Sequence, residues 1–242
     1  MRIMLKKLVE RYLRFLTGIV IYRHQPDIIA IAGITSKTTT KKYIVDHLRQ
    51  IGLDVRANPK SYNTEIGLPL AVLYVEVSGY AWKSWLKTIW QCTTIALFSK
   101  RFPKILVLEF GVSGVGDMKH LLNIVKPRIA VFTNIRPSDF NPNTTIDELN
   151  SEMLDLMKVI LNNGLVIYNW DDNNLRALAN QFSGQKISYG IGEGADIQAT
   201  NIQQHLDGLS WAVYGQKRKT IKSGLHHIYA ELAADAVARS FK

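Results

Sequence analysis

The residues with the clearest chemical potential sit in one short segment. IAIAGITSKTTTKKYI places Gly33, Lys37, Thr38 and Thr39 between an apolar run of strand type and a helical pattern. At such a turn the backbone N–H groups and dipole of a helix N-terminus favour negative charge, and a lysine ammonium and a threonine hydroxyl stand beside them. Residues 33–39 (Gly33, Ile34, Thr35, Ser36, Lys37, Thr38 and Thr39) therefore read as a loop for the phosphate tail of a nucleotide, with a hydroxyl able to reach Mg²⁺. A Thr-rich helix cap is the alternative reading, since Ser36, Thr38 and Thr39 are all good capping residues. Ser36 also stands where a glycine normally precedes such a lysine, and its side chain would crowd a close backbone approach. Glu109 ends the apolar run KILVLEF, where a carboxylate is costly unless it meets a cation.

The elements that must hold these residues follow from periodicity. Strand-type runs occur at 27–32, 104–110, 128–134 and 165–169, with helical patterns at 37–51, 80–98, 116–125, 145–163 and 226–240. Apolar strands interleaved with helices predict a doubly wound α/β fold with a mostly parallel sheet. Beyond Ala195 short alternating runs around Asp207-Gly208 predict a small antiparallel β element near 195–222. Residues 80–98 read as an amphipathic core helix rather than a base-stacking surface, because the basic side chains are not interleaved along a strand face.

Composition narrows the class. The chain has 242 residues, 47% of them hydrophobic, and a formal net charge of +10, which fits a folded globular protein. Its single cysteine, Cys92, excludes an internal disulfide and a Cys-based zinc cluster. The absence of a long uncharged apolar stretch or a signal-peptide pattern predicts a cytoplasmic location. Residues 1–24 carry six basic side chains against Glu10, half of the net excess. Over residues 1–22, Leu5, Leu8, Val9, Tyr12, Leu13, Leu16 and Ile19 share one face of a helix whose other face holds Lys6, Lys7, Arg11 and Arg14. Such a basic amphipathic helix either covers the protein's own core or lies on an anionic membrane surface, peripheral at the inner membrane face. This concentration of charge in one helix also argues against nucleic acid as a partner.

IAIAGITSKTTT is followed in order by SYNTEIGLPLAVL, ILVLEFG, KPRIAVFTNI, NNGLVIYNWDD and SGLHHIYAELAADAVA. The series resembles the central ATP-binding domain of the Mur ligases, over roughly residues 27–240, and most nearly the members that add D-alanyl-D-alanine to a UDP-muramoyl peptide. The resemblance implies an ATP-dependent ligase of cell-wall peptide synthesis, in which a carboxylate activated as an acyl phosphate is attacked by an amine. It implies ATP and Mg²⁺ as cofactors, Lys37 on the β- and γ-phosphates, and Thr38 and Glu109 on Mg²⁺. Asn63 and Thr64 match the segment that approaches metal and muramoyl substrate, although a polar turn would look alike. Asn134, Asn169, Asp171 and His226 match positions lining the nucleotide pocket; a satisfied core histidine is the other reading of His226.

The departures from the family pattern are specific. Ser36 and Ala30 replace glycines, Asp139 takes the place of a histidine near the second metal, and His227 and Ala230 stand where asparagine is expected. A carbamylated lysine would fall at or near Met153. The span leaves room for residues 25–242 as one central domain behind the helix of residues 1–24, without the UDP-sugar and C-terminal domains. The resemblance therefore implies incomplete ligase chemistry for this chain alone, with a separate chain as the supplier of the other domains. A degenerate, non-catalytic nucleotide-binding or scaffold protein is the rival reading.

Overall fold

The computed structural model describes residues 2–58, 62–77, 79, 82–135, 144–160 and 164–241, without the side chains of residues 2–4 and 82. Strand β1 (Asp27–Ala32) is a run of apolar residues because both of its faces are covered, and helix α1 (Arg2–His24) precedes it. Two parallel strands flank it, β3 (Ile105–Glu109) and β4 (Ile129–Phe132), so that Ile31 lies opposite both Glu109 and Val131. Outside β3 lies β2 (Val55–Ala57), and outside β4 lie β5 (Leu165–Asn169) and β6 (Gln185–Gly190), all parallel. Strands β7 (Ile197–His205), β8 (Gly208–Val213) and β9 (Gln216–Thr220) complete the sheet, with β7–β8 and β8–β9 antiparallel. The doubly wound architecture and the antiparallel element both match expectation.

Side chains alternate along β1 and so divide the core into two layers. Ala30 and Ala32 face Leu68 of α3 (Gly67–Leu73), Met118 of α5 (Asp117–Leu122), and helices α6 (Ile146–Ile160) and α7 (Asn173–Gln181). Ile29 and Ile31 face Ile44 and Leu48 of α2 (Lys37–Gln50) and Leu232 and Val237 of α8 (His226–Arg239). From β1 the chain runs through α2 to β2 on one side, and from β3 it crosses through α5 to β4 on the other, which places the switch point of the sheet at β1's carboxyl end. Ligands of open α/β sheets bind there.

Four elements escape sequence reading. β2 has only three residues and α3 seven, too few for a period, while α7 and β6 follow the Asp172 cap in a stretch of weak patterning.

α1 and α4 (Trp82–Phe98) form a third layer over α3, where Leu13, Leu16 and Val20 meet Leu70, Leu73, Cys92 and Ala96. Here two expectations are corrected. The apolar arc of α1 splits along its length, because its later turns reach α3 and α4 and its first turns do not: Leu13 and Leu16 are 0–1% exposed, while Leu5 and Leu8 are 62% and 65% exposed. The core role of α4 also holds for one side only, since Trp90 and Phe98 are both 73% exposed. Burial pushes the Cys92 thiol up to about 12, which makes it a packing group. No described helix is long and apolar enough to cross a membrane.

Since Leu16 is enclosed and Leu5 is not, Leu16→Ala should lower unfolding free energy by about 2–5 kcal/mol. Leu5→Ala should change it by less than about 0.5 kcal/mol. Urea unfolding of both variants checks the pair, and equal effects would contradict this placement of α1.

Candidate functional site

The loop from β1 to α2 begins at Gly33, whose φ of 130° lies in the region that favours glycine. A Cβ there would clash with the Thr133 hydroxyl and meet the Asn134 carbonyl at 2.9 Å, so no larger residue fits. The end of β4 then holds the loop. Thr133 donates to the Thr35 carbonyl at 2.8 Å, and the Asn134 side-chain oxygen accepts from the N–H groups of Ile34 and Thr35 at 3.3 and 3.1 Å. Asn134 also donates to the Thr35 hydroxyl at 2.7 Å. It shapes the loop as well as lining the cleft beside it.

Ser36 has φ 63° and ψ 2°, a left-handed conformation, and its side chain makes no capping hydrogen bond. This removes Ser36 from the capping alternative. It also changes the reason why glycine suits the position: beyond the crowding expected from its side chain, the backbone itself is strained by about 1–2 kcal/mol for an L-residue.

Lys37 Nζ donates back to the carbonyls of Gly33 at 2.6 Å and Ile34 at 3.0 Å, placing the ammonium within the curl of the loop. Burial pushes its pKa below the usual lysine value, against the opposing pull of Glu109. The Thr38 hydroxyl donates to Glu109 Oε2 at 3.1 Å. Glu109 is 1% exposed, and the cation that its placement demands is Lys41, whose Nζ lies 2.7 Å from Oε1. That contact is an ion pair, since Oε1 has no well-directed hydrogen bond. Lys41 also donates to the Asn58 carbonyl at 3.0 Å, tying α2 to the segment after β2. Sequence reading missed Lys41; the available signal was its place one turn after Lys37 on the same side of α2.

Asn63 reaches the same end of the sheet. Its carbonyl accepts from Gly111 N–H at 3.1 Å, and a Cβ on Gly111 would lie 2.5 Å from Asn63 Nδ2. Thr64 accepts from Gly67 N–H at 3.3 Å through its hydroxyl, so it closes the turn that leads into α3, as the polar-turn alternative allowed.

Asn134, Asn169, Asp171 and His226 line one half-open cleft of about 180 Å³ together with Ser36 and Thr40. Within it Asn169 and Asp171 are largely engaged. Asn169 donates to the Thr133 carbonyl at 3.1 Å, and Asp171 accepts from Ile191 N–H, Gly192 N–H and the Tyr229 hydroxyl at 2.7–2.9 Å. His226 is exposed at the start of α8, which excludes the core-histidine reading. Tyr189 and Tyr229 also line the cleft and were not read from the sequence. Thr39 follows Thr38 in the first turn of α2 and is half-buried.

The departure at Met153 falls elsewhere. Met153 is fully buried in the apolar core, and neighbouring Glu152 accepts from Gly116 and Met118 N–H groups, each at 2.6 Å. Asp139 lies outside the described residues. Among the described residues no cluster of three or more His, Cys, Asp or Glu is placed to hold a metal. Thr38 and Glu109 nevertheless form a hard-oxygen pair, which fits Mg²⁺ when phosphates and water supply the other ligands.

Relieving the left-handed strain, Ser36→Gly should leave stability unchanged or raise it by up to about 1 kcal/mol, whereas Ser36→Val should lower it by more than about 1 kcal/mol. Thermal unfolding separates these outcomes. Glu109→Gln leaves the Lys41 ammonium buried without its counter-charge and should cost about 3–5 kcal/mol, read by urea unfolding.

Comparison with known proteins gives a consistent picture. The family profile described as Mur ligase middle domain matches residues 31–238. The UDP-N-acetylmuramoyl-tripeptide--D-alanyl-D-alanine ligase of Bacillus subtilis (strain 168) is 26% identical over 218 residues, covering 88% of this chain and 41% of the relative. The corresponding ligase of Synechocystis is 28% identical over 216 residues, covering 88% of this chain and 40% of the relative. The crystal structure of MurF ligase from Thermotoga maritima in complex with ADP superposes with a TM-score of 0.74 at 20% identity, over 96% of this chain and 49% of that one. The chain thus spans about two fifths of the length of these curated relatives.

Proposed function

This chain belongs to the Mur ligase family through that family's middle domain, and from that premise we propose that residues 33–39 and Glu109 bind the triphosphate of ATP with Mg²⁺. One observation carries the reading: Lys37, Thr38 and Glu109, which are 72 residues apart at the extremes, converge at the switch point of the sheet, with Thr38 Oγ1 and Glu109 Oε2 3.1 Å apart. Thr38 and Glu109 would hold Mg²⁺, and the ion would supply charge neutralisation for the phosphoryl group being transferred. The chain's own residues do the rest. Gly33 lets the backbone approach, Thr133 and Asn134 hold the loop in shape, and Lys37 turns its ammonium toward the phosphates in exchange for the carbonyls of Gly33 and Ile34. The cleft between Asn169, His226 and Tyr229 takes the nucleoside end.

The reaction served is the joining of a carboxylate to an amine at the expense of ATP. D-alanyl-D-alanine and a UDP-muramoyl peptide are the substrates that the named relatives suggest. A second reading, nucleotide binding without ligation, is favoured by Met153: the position implied for a carbamylated lysine points into the apolar core between α6 and the sheet.

Calorimetric titration with Mg-ATP tests the binding site. Lys37→Ala should weaken affinity by about 10-fold or more, the worth of a charge-assisted hydrogen bond. Thr38→Ala should remove the gain in affinity that Mg²⁺ gives. Wild-type affinity in Lys37→Ala would overturn the site. Following ADP and amide product together by chromatography separates the two readings, since amide formation by the 242-residue chain alone would dismiss the second.

A further inference from the structure

We propose that the outer face of α1 and α4 docks on an anionic phospholipid surface. The first observation is where the charge resides. Residues 2–24 and 82–104 hold 11 of the 30 lysines and arginines and one of the 20 acidic residues, leaving 19 of each sign elsewhere. The whole net charge of +10 therefore belongs to two segments remote from each other in sequence. Folding brings their helices side by side over α3, with Lys100, Arg101 and Lys104 in the segment that follows α4.

The second observation is what lies along their seam. The Tyr12 hydroxyl bonds the Thr93 hydroxyl at 3.0 Å and marks the line where the helices meet. Leu5, Leu8 and Phe15 are seven and four residues before Tyr12 and three after it, so they border the seam on α1. Leu86, Trp90 and Leu97 stand in the same relation to Thr93 on α4, seven and three before and four after. These six side chains are 45–73% exposed. Monomeric proteins rarely leave so continuous an apolar strip in water, and Trp, Tyr and Phe beside Leu suit the boundary between headgroups and acyl chains.

The third observation is the arrangement of the charges. Arg11 and Arg14 line a shallow groove with Phe15 and Tyr22 on the outer side of α1, and Lys83 and Lys87 are exposed on α4. Glu10 is taken up by Lys6 at 3.5 Å, and Arg23 caps the end of α4 through the carbonyls of Ala96 and Leu97 at 2.7 and 2.8 Å. Glu76 is the carboxylate of the groove beside Trp90. An apolar strip flanked by cations fits a phosphate-bearing surface. A second copy would set one cationic face against another, and the repulsion disfavours it. With no described helix able to span a bilayer, the face lies on the membrane rather than across it.

Co-sedimentation of the full chain with vesicles tests this. The chain should bind vesicles of phosphatidylcholine and phosphatidylglycerol in equal parts, at least about ten-fold more tightly than phosphatidylcholine alone, and release as salt rises. Combined Arg11→Glu, Arg14→Glu and Lys87→Glu should reduce that binding by about 100-fold, and Trp90→Ala should weaken it by several-fold, with melting temperature and Mg-ATP affinity unchanged. Binding to neither vesicle, equal binding to both, or undiminished binding by the triple variant would overturn the proposal. Self-association without lipid that Trp90→Glu abolishes would assign the face to a second copy and also overturn it. Because the Mg-ATP titration is read separately, failure here leaves the nucleotide site untouched.

Discussion

A carboxylate closed off from water at the end of β3 is the constraint around which this molecule is arranged. Glu109 is a charge in a place where charge is costly, and Lys41 answers it from the next turn of α2 beyond Lys37. One pairing thereby fixes several elements: α2 sits over β3, Thr38 is held against Glu109, and the segment after β2 is drawn in through the Asn58 carbonyl. The same carboxylate keeps two roles open, counter-charge to a lysine and oxygen ligand for a hard cation. Both follow from its enclosure at the end of β3 beside Lys41 and Thr38.

The loop facing this pair is rigid by different means. The side chains of Thr133 and Asn134, at the carboxyl end of the neighbouring strand, satisfy its backbone groups. A loop shaped by strand-borne side chains has little freedom to lose when an anion arrives, which favours binding through preorganisation. Ser36 works against this, since it holds without glycine's freedom a conformation that glycine adopts readily. Asp171 plays a comparable part on the far side of the cleft, where its three donors lock the turn after β6 to α8. Much of what looks like ligand-binding chemistry in this sequence is spent on holding loops in place.

The α1–α4 layer obeys a separate logic. It buries a small cluster around Leu16 and Cys92 and leaves the rest of its apolar surface outward, with basic side chains on both margins. It packs on α3, and the docking face and the nucleotide site proposed for this chain share no residue.

The sequence by itself determined the class of fold, because strands buried on both faces must be apolar throughout and the helices between them must be amphipathic. It also made the candidate loop of residues 33–39 legible, since Gly33, Lys37 and Thr38 lie within one strand-to-helix turn and their spacing is local. Glu109 was legible as a buried charge, but its partner was not: Lys41 lies 68 residues away in the chain and meets it only through the pairing of β1 with β3. The short elements β2 and α3 were invisible, being shorter than the period that would reveal them. The position of α1 was half legible. Periodicity gave a helix with a broad apolar arc, yet which part of that arc is covered depends on where α3 and α4 stand. Tertiary structure alone decided that Leu16 is core and Leu5 is surface, because burial is a property of neighbours and only folding supplies them.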